Sequence, residues 1–320
     1  MRADWTKHIR VVHLERELVV VEKPAGLSTV RHPDEWAQAQ HPRQLPPTLA
    51  ELIPAILKKM EGAKSSKGRP HPVRVVQRLD IGTSGLLVFA RTLKAERGLG
   101  SQFRSHTVDR VYQALALGAI PSPLRLESLL VENRGDGLRG SHPSKGRRAV
   151  THVKPLEALG GATLVECRLE TGRTHQIRIH LAEAGHPLAG ERVYNRPRSN
   201  RPPQIPPPVD FVDVPRIMLH AGRLGFRHPL SGELMTFEMD PPPDFSGFVE
   251  HLRHTTLPGE NPPAEAQGSA STLQSKQPPT PLPPAAQKEL HKKNEAANPR
   301  KPRQPQKRNP PFKPQTFRKK

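Results

Sequence analysis

One short stretch, residues 73–91, constrains the fold of this chain more than any other. Two apolar runs rich in Val and Leu, residues 73–76 and 86–90, flank a polar segment with glycines at positions 82 and 85. This pattern predicts two buried strands joined by a tight connection. Asp80 lies on that connection, and Arg78 would project from the same face of an extended backbone, where its guanidinium would keep the carboxylate ionised. The stretch predicts either a reactive aspartate held between rigid elements or a hairpin loop whose Asp and Ser only bond turn backbone.

The charge of the chain points to a polyanionic partner. Of its 320 residues, 50 are Lys or Arg and 30 are Asp or Glu, which gives a formal net charge of +20. Residues 255–320 hold 13 of these cations, 4 of the acids and 14 of the 38 prolines, so we predict a disordered basic tail. The remaining +11 falls on residues 1–254, which are predicted to form one folded domain.

Nucleic acid and an anionic membrane surface both fit that charge. No run in the sequence approaches a transmembrane span, and the N-terminus has no apolar signal core. We therefore expect a soluble, cytoplasmic protein with no membrane partner.

Cysteine and histidine usage argues against disulfides and metals. The single cysteine, Cys167, lies in the apolar run 163–169 and is predicted to be a packed thiol, in agreement with a reducing compartment. His175 and His180 are five residues apart, which does not place both on one helical face, and no zinc-finger spacing occurs. We therefore expect no metal, and no glycine-rich phosphate loop of the dinucleotide or Walker type is present.

Hydrophobic periodicity predicts a mixed set of elements. Thr48 and Glu51 form a capping box that opens a helix ending near Gly62, with Pro54 inside it. Further helices are predicted over 92–103, from Thr174 to Gly185, and after a capping Asp244. Strands are predicted over residues 18–22, 110–117, 149–154, 163–169, 217–226 and 233–238. Residues 31–47, 63–72 and 196–216 are predicted loops, and residues 133–148 a mobile loop or one that orders on a phosphate backbone.

Three sequence blocks resemble the RNA pseudouridine synthases of the ribosomal large-subunit uridine type. They are residues 20–27 (VVEKPAGL), 77–85 (QRLDIGTSG) and 169–180 (LETGRTHQIRIH), and they occur in the family's order. Residues 110–112 (RVY) and 186–191 (HPLAGE) resemble two further blocks, so the resemblance covers about residues 11–250.

The resemblance implies a fold, a reaction and a set of site residues. The fold is α/β (α+β), a largely antiparallel mixed sheet flanked by helices, with residues 1–254 as the catalytic domain. The reaction is isomerisation of uridine to pseudouridine in structured RNA, either rRNA or tRNA, without a cofactor. By resemblance, Asp80 is the catalytic aspartate, Tyr112 the aromatic that stacks on uracil, and Arg173 the cation that pairs with Asp80. Substrate-binding roles fall on Arg78, Thr83, Ser84, Arg110, Thr174, His175, Gln176 and Arg178.

This chain departs from the family's pattern at a few positions. Gln77 stands where the family usually has His, Arg110 where it often has Lys, and Glu191 where it often has Asp. These departures keep the three catalytic groups and bear on positioning and substrate choice. Many relatives carry a small RNA-binding domain before the catalytic one. Because fewer than twenty residues precede the first strand, we expect a short form without it and a monomer, with the tail supplying nonspecific RNA affinity.

Two alternatives remain beside this interpretation. One is an RNA-binding or ribosome-assembly protein of the same fold that has lost catalysis, which intact Asp80, Tyr112 and Arg173 argue against. The other is a glycoside or nucleoside hydrolase, which needs a second carboxylate near Asp80.

Overall fold

An eleven-stranded sheet runs through the described part of the chain, which in this computed structural model comprises residues 4–31, 45–62, 73–195 and 214–255. Its strands are β1 (Arg10–Leu14), β2 (Leu18–Lys23), β3 (Arg74–Val75), β4 (Ser84–Ala90), β5 (Asp109–Leu117), β6 (Leu124–Val131), β7 (Gly140–His142), β8 (Arg147–Leu159), β9 (Ala162–Leu169), β10 (Leu219–Arg227) and β11 (Leu234–Glu238). The main path is β1-β2-β4-β10-β5-β9-β8-β6-β7, with β3 on β4 and β11 on β10. Within the described residues the β4–β10 pair is parallel and every other pair antiparallel, which confirms the predicted fold class.

In the described ranges four α-helices flank the sheet, and capping residues open the first two. The helices are α1 (Leu49–Glu61), α2 (Leu93–Arg104), α3 (Gln176–Glu183) and α4 (Pro243–Thr255). Before α1, Glu51 accepts a hydrogen bond from the Thr48 backbone N–H at 3.0 Å, as the capping box predicts. Before α2, the Thr92 hydroxyl accepts from the Ala95 N–H at 3.2 Å.

Successive side chains along each strand pack on opposite faces of the sheet, so the core is divided between the two faces. On β2, Val19 and Val21 pack with α1 while Leu18 and Val20 pack with α2. On β5, Ala114 and Ala116 pack with α3 while Leu115 packs with α4. Because successive side chains on a strand point to opposite faces, each strand joins two core layers.

Tyr112 marks the place where two of these layers meet. It packs partly buried against the α1 cluster and against the α3 cluster. The two clusters therefore lie on the same face of the sheet, with Tyr112 of β5 between them.

Several predicted elements differ from the structure. Strands β1, β6 and β7 were not predicted, and β7 with the start of β8 occupies part of the loop expected over 133–148. β3 has two residues rather than four and is not buried. Asp244 lies in the first turn of α4 and accepts hydrogen bonds from Arg216, rather than capping the helix.

The described residues all lie within one compact unit, Met1–Pro262. Predictions for most of 31–47 and 196–216, for 63–72 and for the tail beyond Thr255 fall outside them. The predicted packed thiol is confirmed, since Cys167 is buried and burial raises its pKa to about 12. None of the helices in the described ranges is long and apolar enough to cross a membrane.

Candidate active site

A cavity of about 580 Å³ opens on the face of the sheet where Tyr112 lies. Its walls come from the β3–β4 connection, the end of α2, β5, and the turn between β9 and α3. A volume of this size is typical of small-molecule sites and accommodates one nucleotide. Six arginines and two acids line it: Arg78, Arg104, Arg110, Arg147, Arg173 and Arg178 against Asp80 and Glu96. The cavity is therefore strongly cationic around a single aspartate on the β3–β4 connection.

The backbone on both sides of Asp80 is fixed by hydrogen bonds. Before it, the Thr29 hydroxyl donates to the Leu79 carbonyl at 2.8 Å and accepts from the Leu79 N–H at 3.1 Å. After it, the Gly26 N–H donates to the Ile81 carbonyl at 2.7 Å. The Thr83 N–H closes the turn on the Asp80 carbonyl at 3.0 Å. Such support holds a reactive side chain in one position.

Hydrogen bonds from Lys23 also hold the turn around Asp80 in place. Its side chain is fully buried, and its Nζ donates to the carbonyls of Pro24, Leu27 and Ile81 at 2.9, 2.7 and 3.3 Å. Burial lowers the pKa of Lys23 to about 7, although the charge of Asp80 opposes the shift. One side chain thus ties the end of β2 to the connection that carries Asp80.

Arg178 is the cation that faces the Asp80 carboxylate. Its Nη1 lies 3.6 Å from Asp80 Oδ2, and the Asp80 side chain is 16% exposed. His175 Nε2 is 3.9 Å from Oδ1, but burial lowers the pKa of His175, and Arg178 lowers it further against the opposing charge of Asp80. Of the two groups, Arg178 is therefore the lasting positive charge that faces the Asp80 carboxylate.

A buried network holds Arg178 and His175 in place. Arg178 Nε and Nη2 donate to Glu191 at 2.7 and 2.9 Å, and the Glu191 side chain is fully buried. Burial raises the pKa of Glu191, but the hydrogen bonds and charge of Arg178 outweigh it and the net shift is downward. Tyr194 packs its ring 5.1 Å from Arg178 Cζ, and its hydroxyl lies 2.6 Å from His175 Nδ1. The bidentate bond fixes the guanidinium plane and aims Nη1 at Asp80.

Tyr112 supplies an aromatic wall near Asp80. Burial raises its pKa, Asp80 raises it too, and Arg110 opposes the shift, so the phenol stays protonated at neutral pH. A protonated phenol beside a carboxylate offers a flat face for a base and a group that can pass a proton.

Two other carboxylates come near the site, and neither suits a glycosidase mechanism. Glu96 lines the cavity, but its Oε2 accepts a hydrogen bond from Arg74 Nη1 at 3.0 Å. Glu191 is bonded to Arg178 through both oxygens and does not line the cavity. A general acid must reach the leaving group and keep its proton, and Glu191 does neither. No three His, Cys, Asp or Glu side chains come together as a metal-binding group in the portion of the chain that is described.

Comparison with known proteins identifies the relatives of this arrangement. The pattern of the RNA pseudouridylate synthase family matches residues 17–183. The chain belongs to this family. It is 38% identical over 246 residues to the ribosomal large subunit pseudouridine synthase D of Neisseria meningitidis serogroup A, covering 76% of this chain and 61% of the relative. The protein of the same name from Zymomonas mobilis is 36% identical over 250 residues, covering 76% of this chain and 73% of the relative. This chain thus spans about three fifths of the Neisseria relative.

Solved structures show the same fold. Human RNA pseudouridylate synthase domain containing 4 superposes with a TM-score of 0.58 at 23% identity, covering 76% of this chain and 93% of that one. Human RNA pseudouridylate synthase domain containing 1 superposes with a TM-score of 0.54 at 24% identity, covering 80% of this chain and 98% of that one.

Most residues that the family blocks implicate meet in the cavity, but one predicted pairing is wrong. Asp80, Tyr112, Arg173 and Arg178 all line it. Arg173 forms no ion pair with Asp80. Its Nε donates to the Arg148 carbonyl at 3.1 Å, and Arg178 takes the position expected for it. Arg78 lines the cavity but is exposed and does not pair with Asp80 either.

The remaining predicted substrate-binding residues divide into two groups. Thr83, Arg110, Thr174 and His175 line the cavity. Ser84 does not line it, because its buried hydroxyl lies 3.0 Å from His220 Nδ1. Gln176 borders the cavity, but its amide is used within the protein by Thr171, the Arg173 N–H, Thr151 and the Val150 carbonyl.

The sequence predicts no role for Thr29, Lys23 or Tyr194, and it marks Glu191 only as a departure from the family's pattern. Lys23 and Glu191 lie in blocks that carry the family resemblance, but their roles depend on which groups the fold brings to them. Tyr194, one of two tyrosines, was detectable by its rarity. Nothing in its surrounding sequence indicates a contact with His175.

Proposed function

We propose that the protein isomerises uridine to pseudouridine in RNA, with Asp80 as the catalytic group. The observation that carries the proposal is an aspartate that faces Arg178 in a nucleotide-sized cavity, which Tyr112 also lines. Family membership supports the reaction class, and the surplus of arginines supports a polyanionic substrate.

The reaction asks little beyond these groups. The N1–C1′ bond breaks, uracil turns while bound, C5 bonds to C1′, and the hydrogen on C5 leaves while N1 gains one, so the composition is unchanged. Asp80 either attacks C1′ as a retaining glycosidase nucleophile does or removes a ribose proton to give a glycal. Both routes need the carboxylate form of Asp80, which faces the Arg178 guanidinium at 3.6 Å. Tyr112 stacks on the extruded base and assists removal of the C5 proton.

Ribosomal RNA is the first substrate to test. The bacterial relatives are named ribosomal large subunit pseudouridine synthases, and uridines in loops cost least to extrude. We propose that the protein acts in the cytoplasm as a monomer, because a single chain contains the whole constellation around Asp80.

Tritium release tests the reaction directly. An unmodified transcript of large-subunit ribosomal RNA, labelled with tritium at uridine C5, is incubated with the wild-type chain and with Asp80→Asn. We expect release by the wild type and a loss on the order of a thousandfold or more in Asp80→Asn, which keeps the shape and removes the charge.

Asp4→Asn is the matched control. Asp4 is exposed, pairs with Lys7 and lies outside the cavity, so this variant should release tritium at the wild-type rate. Tight binding of the transcript without release by the folded wild type would contradict the proposal and favour the noncatalytic RNA-binding alternative.

A further inference from the structure

Arg110 is a buried cation on the cavity wall that lacks an acceptor. Its relative exposure is 8%, and its Nε and Nη2 are enclosed without a hydrogen-bond partner among the described residues. Its Cζ lies 5.9 Å from the centroid of the Phe103 ring. The ion pair with Asp80 is formed by Arg178 and not by Arg110. A buried charge without hydrogen bonds is costly, so its acceptor is expected from outside the folded chain.

Gly172 makes the room that the guanidinium occupies. A Cβ on Gly172 would lie 2.2 Å from Arg110 Nη1, closer than any non-bonded contact allows. The backbone of Gly172 is not in the positive-φ region, so its conformation does not require glycine. Glycine is required at position 172 because the Arg110 side chain occupies the space that a Cβ would fill. The two residues together form a built slot for a cation, here called the Arg110 slot.

The unbonded edge of Arg110 indicates the chemistry of its ligand. Nε–H and Nη2–H of a guanidinium point in parallel and match two oxygens on one centre, as in a phosphodiester. Uracil presents its two carbonyl oxygens on either side of N3–H, so it offers one oxygen at a time. A desolvated cation also gains more from an anion than from a neutral carbonyl.

We infer that the Arg110 slot binds a backbone phosphate of the RNA next to the uridine that enters the cavity. The inference rests on the proposed function and deepens it. Because Nε and Nη2 are enclosed in the unbound protein, binding includes a movement of the Arg110 side chain or of the residues over it. The hydrogen bonds gained there offset part of the cost of extruding the uridine.

Removing the charge and blocking the slot give two independent tests. Arg110→Met removes the guanidinium and keeps an apolar stem. Gly172→Ala keeps the guanidinium but displaces it. Binding of the large-subunit transcript is measured in the Asp80→Asn background over a series of KCl concentrations, so that no turnover occurs.

Both variants should weaken binding about tenfold to a hundredfold, as expected for hydrogen bonds to a charged group. Each should also make the dependence of log affinity on log salt shallower by about 0.7 to 0.9, the value for one phosphate contact. The double variant should bind no worse than Arg110→Met. In a chain with Asp80 intact, Arg110→Met should raise KM for tritium release.

Arg16→Met is the matched control, because the Arg16 side chain is 91% exposed and does not line the cavity. It should keep the affinity of the Asp80→Asn background within about twofold, as expected for an exposed surface change. An unchanged salt slope in Arg110→Met would overturn the inference. So would a further loss of affinity when Gly172→Ala is added to Arg110→Met. Failure of the proposed reaction would be a separate result, because it would appear as absent tritium release. The salt dependence of binding would still test whether Arg110 contacts a phosphate.

Discussion

Arg178 holds two carboxylates that have different roles. Its bidentate bond to the buried Glu191 fixes the guanidinium, and the remaining nitrogen faces Asp80 at 3.6 Å. The position of the catalytic charge therefore depends on a carboxylate that never reaches the substrate. Removing either partner of a buried ion pair lowers the stability of the fold more than removing both, because the remaining charge is left buried without a partner.

Arg178→Met tests this arrangement. The variant should lower the free energy of unfolding by about 3–5 kcal/mol, measured by urea denaturation, because Glu191 is left buried without a cation. It should also lose most tritium release, because Asp80 loses its charged neighbour.

Adding Glu191→Gln separates the two effects. Arg178→Met/Glu191→Gln carries no buried charge at this place and should regain most of the stability without regaining activity. Recovery of tritium release in the double variant would show that Arg178 does not act on Asp80 directly.

Lys23 links two elements of the fold, strand β2 and the connection that carries Asp80. The folded pKa of about 7 lies below the ordinary value for lysine, about 10.4. Between these values the unfolded chain binds one more proton than the folded chain, so stability rises with pH. Below pH 7 both states are protonated, and the full cost of burying the ammonium is present.

Lys23→Met removes this titration together with three hydrogen bonds. The difference in unfolding free energy, wild type minus variant, should increase by about 1.4 kcal/mol per pH unit between pH 7 and 10. The variant should also release tritium more slowly at every pH, because the turn around Asp80 loses its anchor at Ile81. A difference that does not change with pH would mean that the three carbonyls keep Lys23 charged throughout.

The elements themselves were largely predictable, and their contacts were not. Glycine-bounded apolar runs placed Asp80 between two strands, and the strand 110–117 placed Tyr112 correctly. Which arginine meets Asp80 depends on the turn before α3, where His175 adopts a left-handed conformation with φ of 59°. Helical periodicity carries no information about that turn. The family resemblance predicts Arg173 as the partner of Asp80, whereas the structure places Arg178 there. In β6 only the first half alternates, Leu124 and Leu126 with Arg125 and Glu127, so the period of two that favours a strand covers four residues.

Among the described residues, six arginines and only two acids line the cavity, so its net charge is positive. Partial burial, followed by the charges of Arg173, Arg110, Arg147 and Arg148, lowers the pKa of His106 at its rim. A field of this sign draws phosphates toward Asp80 without selecting a sequence.

Residues 263–320, with 13 Lys and Arg, should add to the same nonspecific attraction. Truncation after Pro262 leaves the compact unit that contains the cavity. The truncated chain should bind the ribosomal transcript more weakly, with a salt slope shallower by about 0.7 to 0.9 for each phosphate that the tail would have neutralised. Its turnover at saturating RNA should stay within about twofold of the full chain, because a tail that binds substrate and transition state equally changes KM and not kcat. A folded truncation that binds RNA but releases no tritium would assign the tail a part in the reaction itself.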